Sequence, residues 1–174
     1  MKKTKTLLAV ALTLVLLLGI GASAFAADAK YSATQKYVEA MAELDGASCE
    51  VQADTAQLGG STFEVVKVDY EGELSNYKSH FNVCFTEDGQ AILFSMVILT
   101  FDEAKLADVL ADVNEINAST TSVKLYVDTD RNAVMGEFYL LATEDSLLDI
   151  SLYGTGVFIG FTVQVFEALA DYAV

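Results

Sequence analysis

The sequence predicts an α+β domain in which one antiparallel sheet, made of a strand meander and a hairpin, packs against about three helices. Three observations support this. Apolar residues recur at helical spacing near residue 40, short β-branched and aromatic segments follow between turn residues, and a second helical repeat precedes another hairpin. The 174 residues are 53% hydrophobic and contain no proline. Since no linker or repeat divides the chain, we expect one domain with its own core.

Residues 1–26 have the pattern of a secretory signal peptide. Three lysines fall within the first five residues, an apolar run covers Leu7–Leu18, and Ala24–Ala26 supplies the small residues of a cleavage site. We expect cleavage after Ala26, a single mature domain over residues 27–174, and a secreted, extracellular or periplasmic protein. An uncleaved membrane anchor is the alternative, but the apolar run is short for a permanent span.

The charge of the chain excludes one class of partner. Ten basic residues stand against 25 acidic ones, a formal charge of −15. Removal of the three signal-peptide lysines leaves seven basic residues against all 25 acids, a formal charge of −18. Such a chain repels phosphate, so we expect no nucleic-acid partner.

The first half of the mature chain predicts a helix and then a meander. The helix is expected over residues 33–45, with Ser32 and Gln35 as a capping box and Gly46 as the residue that ends it. Four strands are expected next, over residues 49–53, 63–70, 79–85 and 90–99. Glu87-Asp88-Gly89 is the expected hairpin turn between the last two.

A second helix is expected to begin at Thr100 or Asp102, with Thr100 and Glu103 as a further capping box, and to end near Asn117. One apolar stripe along this helix predicts that it packs on the sheet. A hairpin is then expected over residues 123–127 and 133–141.

The C-terminal segment predicts a helix that begins near Leu147. Three glycines at positions 154, 156 and 160 would weaken its middle, and a strand over residues 157–165 is the alternative. From Gly156 onward, polar residues occupy a narrow stripe and the rest is apolar. The wide apolar face is the candidate interface, formed by Val157, Phe158, Phe161, Val165, Phe166 and Leu169. The mature chain is not expected to span a membrane, because its longest uncharged stretch is short and lacks flanking basic residues.

Two cysteines and one histidine are the other chemical candidates. Cys49 and Cys84 could form a disulfide in an exported protein, or they could be two buried small hydrophobic residues. His80 is the single histidine, so a multi-histidine metal site is excluded. On a strand, Cys84 would lie about 13 Å from it, too far for a catalytic pair.

Asp128, Asp130 and Asn132 copy the first three ligand positions of a calcium loop. Ala133 occupies the position where that loop needs glycine, and Tyr139 the position of its bidentate acid. We therefore expect an ordinary hairpin turn here, with the three side chains as a weak cation candidate.

The stretch Leu106–Asn117, then Val123–Asp130 and Val134–Leu140 with an apolar helix behind them, resembles the YbjN-type domain family. The resemblance extends over residues 33–172 and is most specific over 106–140. It implies an α+β sandwich similar to that of type III secretion chaperones, often dimeric, with no catalytic residues. This chain differs in its signal peptide and in its four strands before the second helix.

These observations favour an exported, non-enzymatic interaction domain of YbjN type that works as a homodimer or with a protein partner. A cell-envelope module that binds a solute or cation is the alternative. An enzyme with His80 or a carboxylate pair as its base is a third hypothesis, but no catalytic or cofactor motif is present in the sequence.

Overall fold

A computed structural model of the chain describes residues 29–58, 60–72 and 77–174. The expected signal peptide and the cleavage site after Ala26 lie outside these residues. The helices are α1 (Ser32–Met41), α2 (Leu106–Ser119) and α3 (Leu147–Leu169), with short 3₁₀ turns over Glu103–Lys105 and Ala170–Tyr172. The strands are β1 (Ala47–Val51), β2 (Ala56–Leu58), β3 (Ser61–Tyr70), β4 (Ser79–Thr86), β5 (Ala91–Thr100), β6 (Val123–Asp128) and β7 (Ala133–Leu141).

The strands form one open antiparallel sheet in the order β1-β3-β4-β5-β7-β6, and β2 pairs with the start of β3. The predicted α+β class is confirmed. Five strands precede α2 rather than the predicted four, because Ala56–Leu58 folds back on β3. This strand is only three residues long, so its sequence is too short to show the alternation by which strands are predicted.

All three helices pack on one face of the sheet. Helix α1 contacts β1, β3 and β4, α3 contacts β5 and β7, and α2 lies against β6. The hydrophobic core fills the space between the two layers, and its fully buried members include Tyr37, Phe85, Phe94 and Phe158. The Tyr37 hydroxyl bonds to Thr155 Oγ1 over 2.8 Å and so joins α1 to α3.

Helix α3 is continuous over 23 residues, so the alternative of a strand at 157–165 is wrong. Gly154 lies where the helix packs closely on the sheet. A Cβ atom at this position would lie 2.7 Å from Leu140 Cδ1 and 2.8 Å from the Phe94 ring. The glycine that weakens the helix locally therefore allows it to pack on β5 and β7.

The helix starts differ from the capping boxes expected from the sequence. Tyr31 precedes α1 and makes no side-chain capping bond. The buried Glu64 carboxylate of β3 instead accepts hydrogen bonds from the backbone N–H groups of Lys30 at 2.8 Å and Tyr31 at 2.9 Å. Ahead of α2, Asp102 accepts a bond from Ala104 N–H, whereas Thr100 belongs to β5.

By length and composition alone, the stretch Leu147–Tyr172 could cross a membrane. Half of its most apolar window is buried inside this fold, as expected for a core helix. Length, composition and burial do not test whether the mature chain spans a membrane, so the absence of a span stays a prediction.

Candidate interaction surface

The face of the sheet opposite the helices is the outer face. Side chains alternate between the two faces along each strand, so the pairing register decides which residues share a row. One row across four strands is Val65, Cys84, Leu93 and Tyr139. The neighbouring row is Phe63, Thr86, Ala91 and Leu141. We call these eight residues the outer apolar rows.

The outer apolar rows have a buried floor and an exposed border. Phe63, Cys84 and Leu93 are buried by their neighbours, whereas Tyr139 is 54% and Leu141 69% exposed. No described helix packs on this part of the sheet. A shallow depression of about 430 Å³ lies between Phe63, Leu93 and Tyr139. Contiguous exposed apolar surface of this kind is typical of a protein interface.

A polar row runs beside the apolar ones and crosses six strands. It consists of Glu50, Lys67, Asn82, Ser95, Glu137 and Lys124. Glu50 lies directly across from Lys67, and Glu137 directly across from Lys124. Opposite charges at such positions stabilise a sheet modestly. The row carries two charges of each sign, so this part of a strongly acidic protein is locally neutral.

The interface predicted on α3 is wrong in its most apolar members. Phe158, Val165 and Leu169 are buried in the core between α3 and the sheet. Val157, Phe161 and Phe166 are partly buried and pack against the same core. The wide apolar face of this helix is covered by the chain's own sheet. Helical periodicity shows that a face will be buried, but it does not show whether the same chain or a partner buries it.

Cys49 and Cys84 are free, buried thiols, so the disulfide alternative is not formed. Cys49 lies across from Val68, and Cys84 lies across from Val65 on the other side of β3. Because these two β3 positions are three residues apart, the thiols lie on opposite faces of the sheet. The other interpretation, that Cys49 and Cys84 are two buried small hydrophobic residues, agrees with the structure.

The environment of each thiol opposes its ionisation. Burial, followed by the negative charge of Asp69, raises the pKa of Cys49 to about 12. Burial, followed by the charge of Glu137, raises the pKa of Cys84 to about 11. Both groups stay protonated at neutral pH, so neither has the properties of a nucleophile.

His80 lies on the outer face, directly across from Asp69 on β3. Its Nδ1 atom pairs with the Asp69 carboxylate, and both side chains are more than half exposed to water. Cys84 follows four residues later on the same strand and does not contact it. An exposed cross-strand pair of this kind stabilises a sheet modestly, and the described residues around it form no nucleophile and base arrangement.

Asp128, Asp130 and Asn132 lie in the β6–β7 turn. Asp128 Oδ1 accepts hydrogen bonds from the backbone N–H groups of Asp130 at 3.1 Å and Arg131 at 3.2 Å. Asn132 has a φ of 49°, a left-handed conformation that asparagine tolerates in turns. Within the described part of the chain, no three acidic, histidine or cysteine side chains are grouped to hold a metal ion.

Asn117 has a role that sequence reasoning did not assign. Its Nδ2 donates to the Leu125 carbonyl over 2.8 Å, and its Oδ1 accepts from Leu125 N–H over 2.9 Å. Strand β6 is at the edge of the sheet, where unpaired backbone groups invite pairing with another chain. Asn117 satisfies both backbone groups of Leu125 on this edge and attaches the end of α2 to the strand. Its position just before a hairpin was the available signal.

Part of this chain matches a known protein family. Residues 67–152 match the family model YbjN, which is described as "Putative bacterial sensory transduction regulator". The matched region extends from the end of β3 into α3 and includes Asn117. No curated protein and no solved structure matches the chain. The predicted resemblance to the YbjN-type family is therefore confirmed over residues 67–152.

Proposed function

We propose that this protein is an exported, non-enzymatic interaction domain that associates with a second copy of itself through the outer apolar rows. The observation that supports the proposal is the absence of a covering layer over these rows among the described residues. The family description, a sensory transduction regulator, agrees with a protein that acts by binding.

A second sheet is a suitable occupant for this surface. Two sheets pack face to face when each presents alternating apolar side chains, and their layers lie about 10 Å apart. Tyr139 and Leu141 project from the rows far enough to meet a partner. The neutral polar row beside them reduces the repulsion that two strongly acidic copies would otherwise meet.

Light scattering on the mature protein, from Ala27 to Val174, tests the proposal across a concentration series. We expect twice the monomer mass for the unchanged protein, and the monomer mass for Tyr139→Glu combined with Leu141→Glu. Tyr153→Glu is the matched control, because Tyr153 is half exposed on α3, in the helix layer. It should leave the dimer intact.

The possible results separate the hypotheses. A monomer at every concentration would contradict self-association and leave a different protein as the partner of this surface. A dimer that survives the double substitution would show that another surface is responsible. Mass spectrometry of the exported form checks the other part of the proposal, since it should begin at Ala27.

A further inference from the structure

The sheet opens between β4 and β5 at one end. The two strands pair from Phe85 and Ile92 as far as Asn82 and Ser95. Continuing this register would place His80 opposite Val97, but that pair is not formed. Strand β5 stays paired with β7 as far as Thr100, with a register shift between Val97 and Leu99. The backbones therefore separate, and a groove of about 320 Å³ lies in the opening.

The inner wall of the groove is apolar. Helix α3 and strand β5 supply most of it, through Met96, Val97, Ile98, Val163 and Phe166. The Tyr77 ring meets the Phe166 ring edge-on, with centroids 5.0 Å apart. Thr162 also lines the wall, but its hydroxyl donates to the carbonyls of Phe158 and Ile159 in its own helix. The α3 and β5 side of the wall can therefore receive an aliphatic chain without leaving the Thr162 hydroxyl unsatisfied.

Two basic side chains, Lys78 and His80, border the mouth of the groove. Among the described residues that line it, none is acidic. His80 is engaged by Asp69. Lys78 makes no hydrogen bond or ion pair with the described residues, although it also borders a neighbouring depression together with Asp69 and Glu71. Its ammonium group can therefore pair with a ligand at the mouth of the groove.

We propose that this groove binds a small amphiphile that consists of an unbranched aliphatic tail and a carboxylate. The tail lies against the apolar wall, and the carboxylate pairs with Lys78 at the mouth. The volume is at the lower end of the range for small-molecule sites, roughly 300–1,000 Å³. A cationic head group would meet Lys78 unfavourably, and a neutral one would lack its attraction.

Calorimetric titration with three probes of equal tail length tests the head group. The probes are decanoate, decanol and decyltrimethylammonium, each below its micelle concentration. We expect decanoate to bind most tightly and the trimethylammonium probe least tightly. Octanoate should bind about tenfold more weakly than decanoate, because two buried methylenes are lost.

Two variants test the assigned residues. Lys78→Gln should weaken decanoate binding about fivefold and leave decanol binding unchanged. Lys36→Gln, an exposed lysine on α1, is its control and should change neither. Val97→Trp should block the groove and abolish binding of all probes. Val97 is 44% exposed, so a larger ring does not disturb the core. Tyr153→Trp is the control for an added ring elsewhere.

Equal affinity for the three head groups, preference for the cation, or full decanoate binding by Val97→Trp with a native circular dichroism spectrum would overturn the proposal. It does not depend on the dimer, since Tyr139 and Leu141 are not in the groove. The double variant of those residues should bind decanoate normally.

Discussion

The two faces of the sheet contain similar side chains but meet different surroundings. On the inner face, Phe94 and Phe138 are covered by α3 and belong to the core. On the outer face, Leu93 and Tyr139 are cross-strand neighbours in the same two strands, with no helix over them. The comparison shows that apolar content alone does not decide where the core is. The described helices cover one face of the sheet, and none of them covers the outer apolar rows on the other.

The largest expected difference is between a covered and an uncovered residue. Phe158→Ala in α3 should lower the free energy of unfolding by about 3–5 kcal/mol, because a fully buried ring leaves a cavity. Leu141→Ala on the outer face should change it by at most about 0.5 kcal/mol in the monomer. Denaturant unfolding at low protein concentration measures both. A large loss at Leu141 would show that the outer face is covered within one chain.

Two glycines in α3 test how closely this helix packs on the inner face of the sheet. Gly154→Ala should destabilise the fold by about 1–3 kcal/mol, because the new methyl group overlaps Leu140 and Phe94. Gly160→Ala is the matched change, with nothing within 4 Å of its Cβ position. It should stabilise the helix by up to about 1 kcal/mol. Thermal unfolding of both variants decides, and equal effects would contradict the close approach at Gly154.

Asn117 tests how one edge of the sheet is closed. Asn117→Ala removes two hydrogen bonds to Leu125 and should cost about 1–3 kcal/mol of folding stability. It should also promote association through the uncovered β6 edge. Asn114→Ala, at an exposed position of α2, is the control. Denaturant unfolding and light scattering measure the two effects. If both variants behave alike, Asn117 does not protect the edge.

The last comparison concerns the thiols, one on each face, whose effect is confined to alkaline pH. The pKa values of Cys49 and Cys84, about 12 and 11, lie above the ordinary value of 9.0. Above pH 9 the unfolded chain therefore loses thiol protons that the folded chain retains. Stability from these groups is complete below pH 9 and falls as the pH rises toward 11, by at most about 1.4 kcal/mol per pH unit for each thiol.

Urea unfolding between pH 8 and 11 measures this slope, and Cys84→Ala should reduce it. Iodoacetamide should modify neither thiol in the native protein at pH 8, and both in urea. Rapid modification of the native protein would contradict the burial of that thiol.

Short-range signals made much of the fold predictable. The Glu87–Gly89 turn forms as expected, with Gly89 at a φ of 67° and Asp88 accepting bonds from Thr86 and Gln90. The turn at Asp128 likewise follows from the hydrogen bonds that aspartate makes to nearby backbone groups. By contrast, the backbone just ahead of α1 is held by Glu64, more than 30 residues away. The capping box at Ser32 is a pattern of neighbouring residues, so it cannot predict a hydrogen bond to a residue on a distant strand.

The sequence by itself determined the α+β class, the order of most elements and the family resemblance, because periodicity and turn residues act over a few positions. Only the tertiary structure decided that Phe158 is core and Leu141 is surface. It also decided that Cys49 and Cys84 lie on opposite faces, and that the sheet opens beside Val97. These outcomes depend on strand register and on which face the helices cover, and both arise from contacts between residues far apart in the chain.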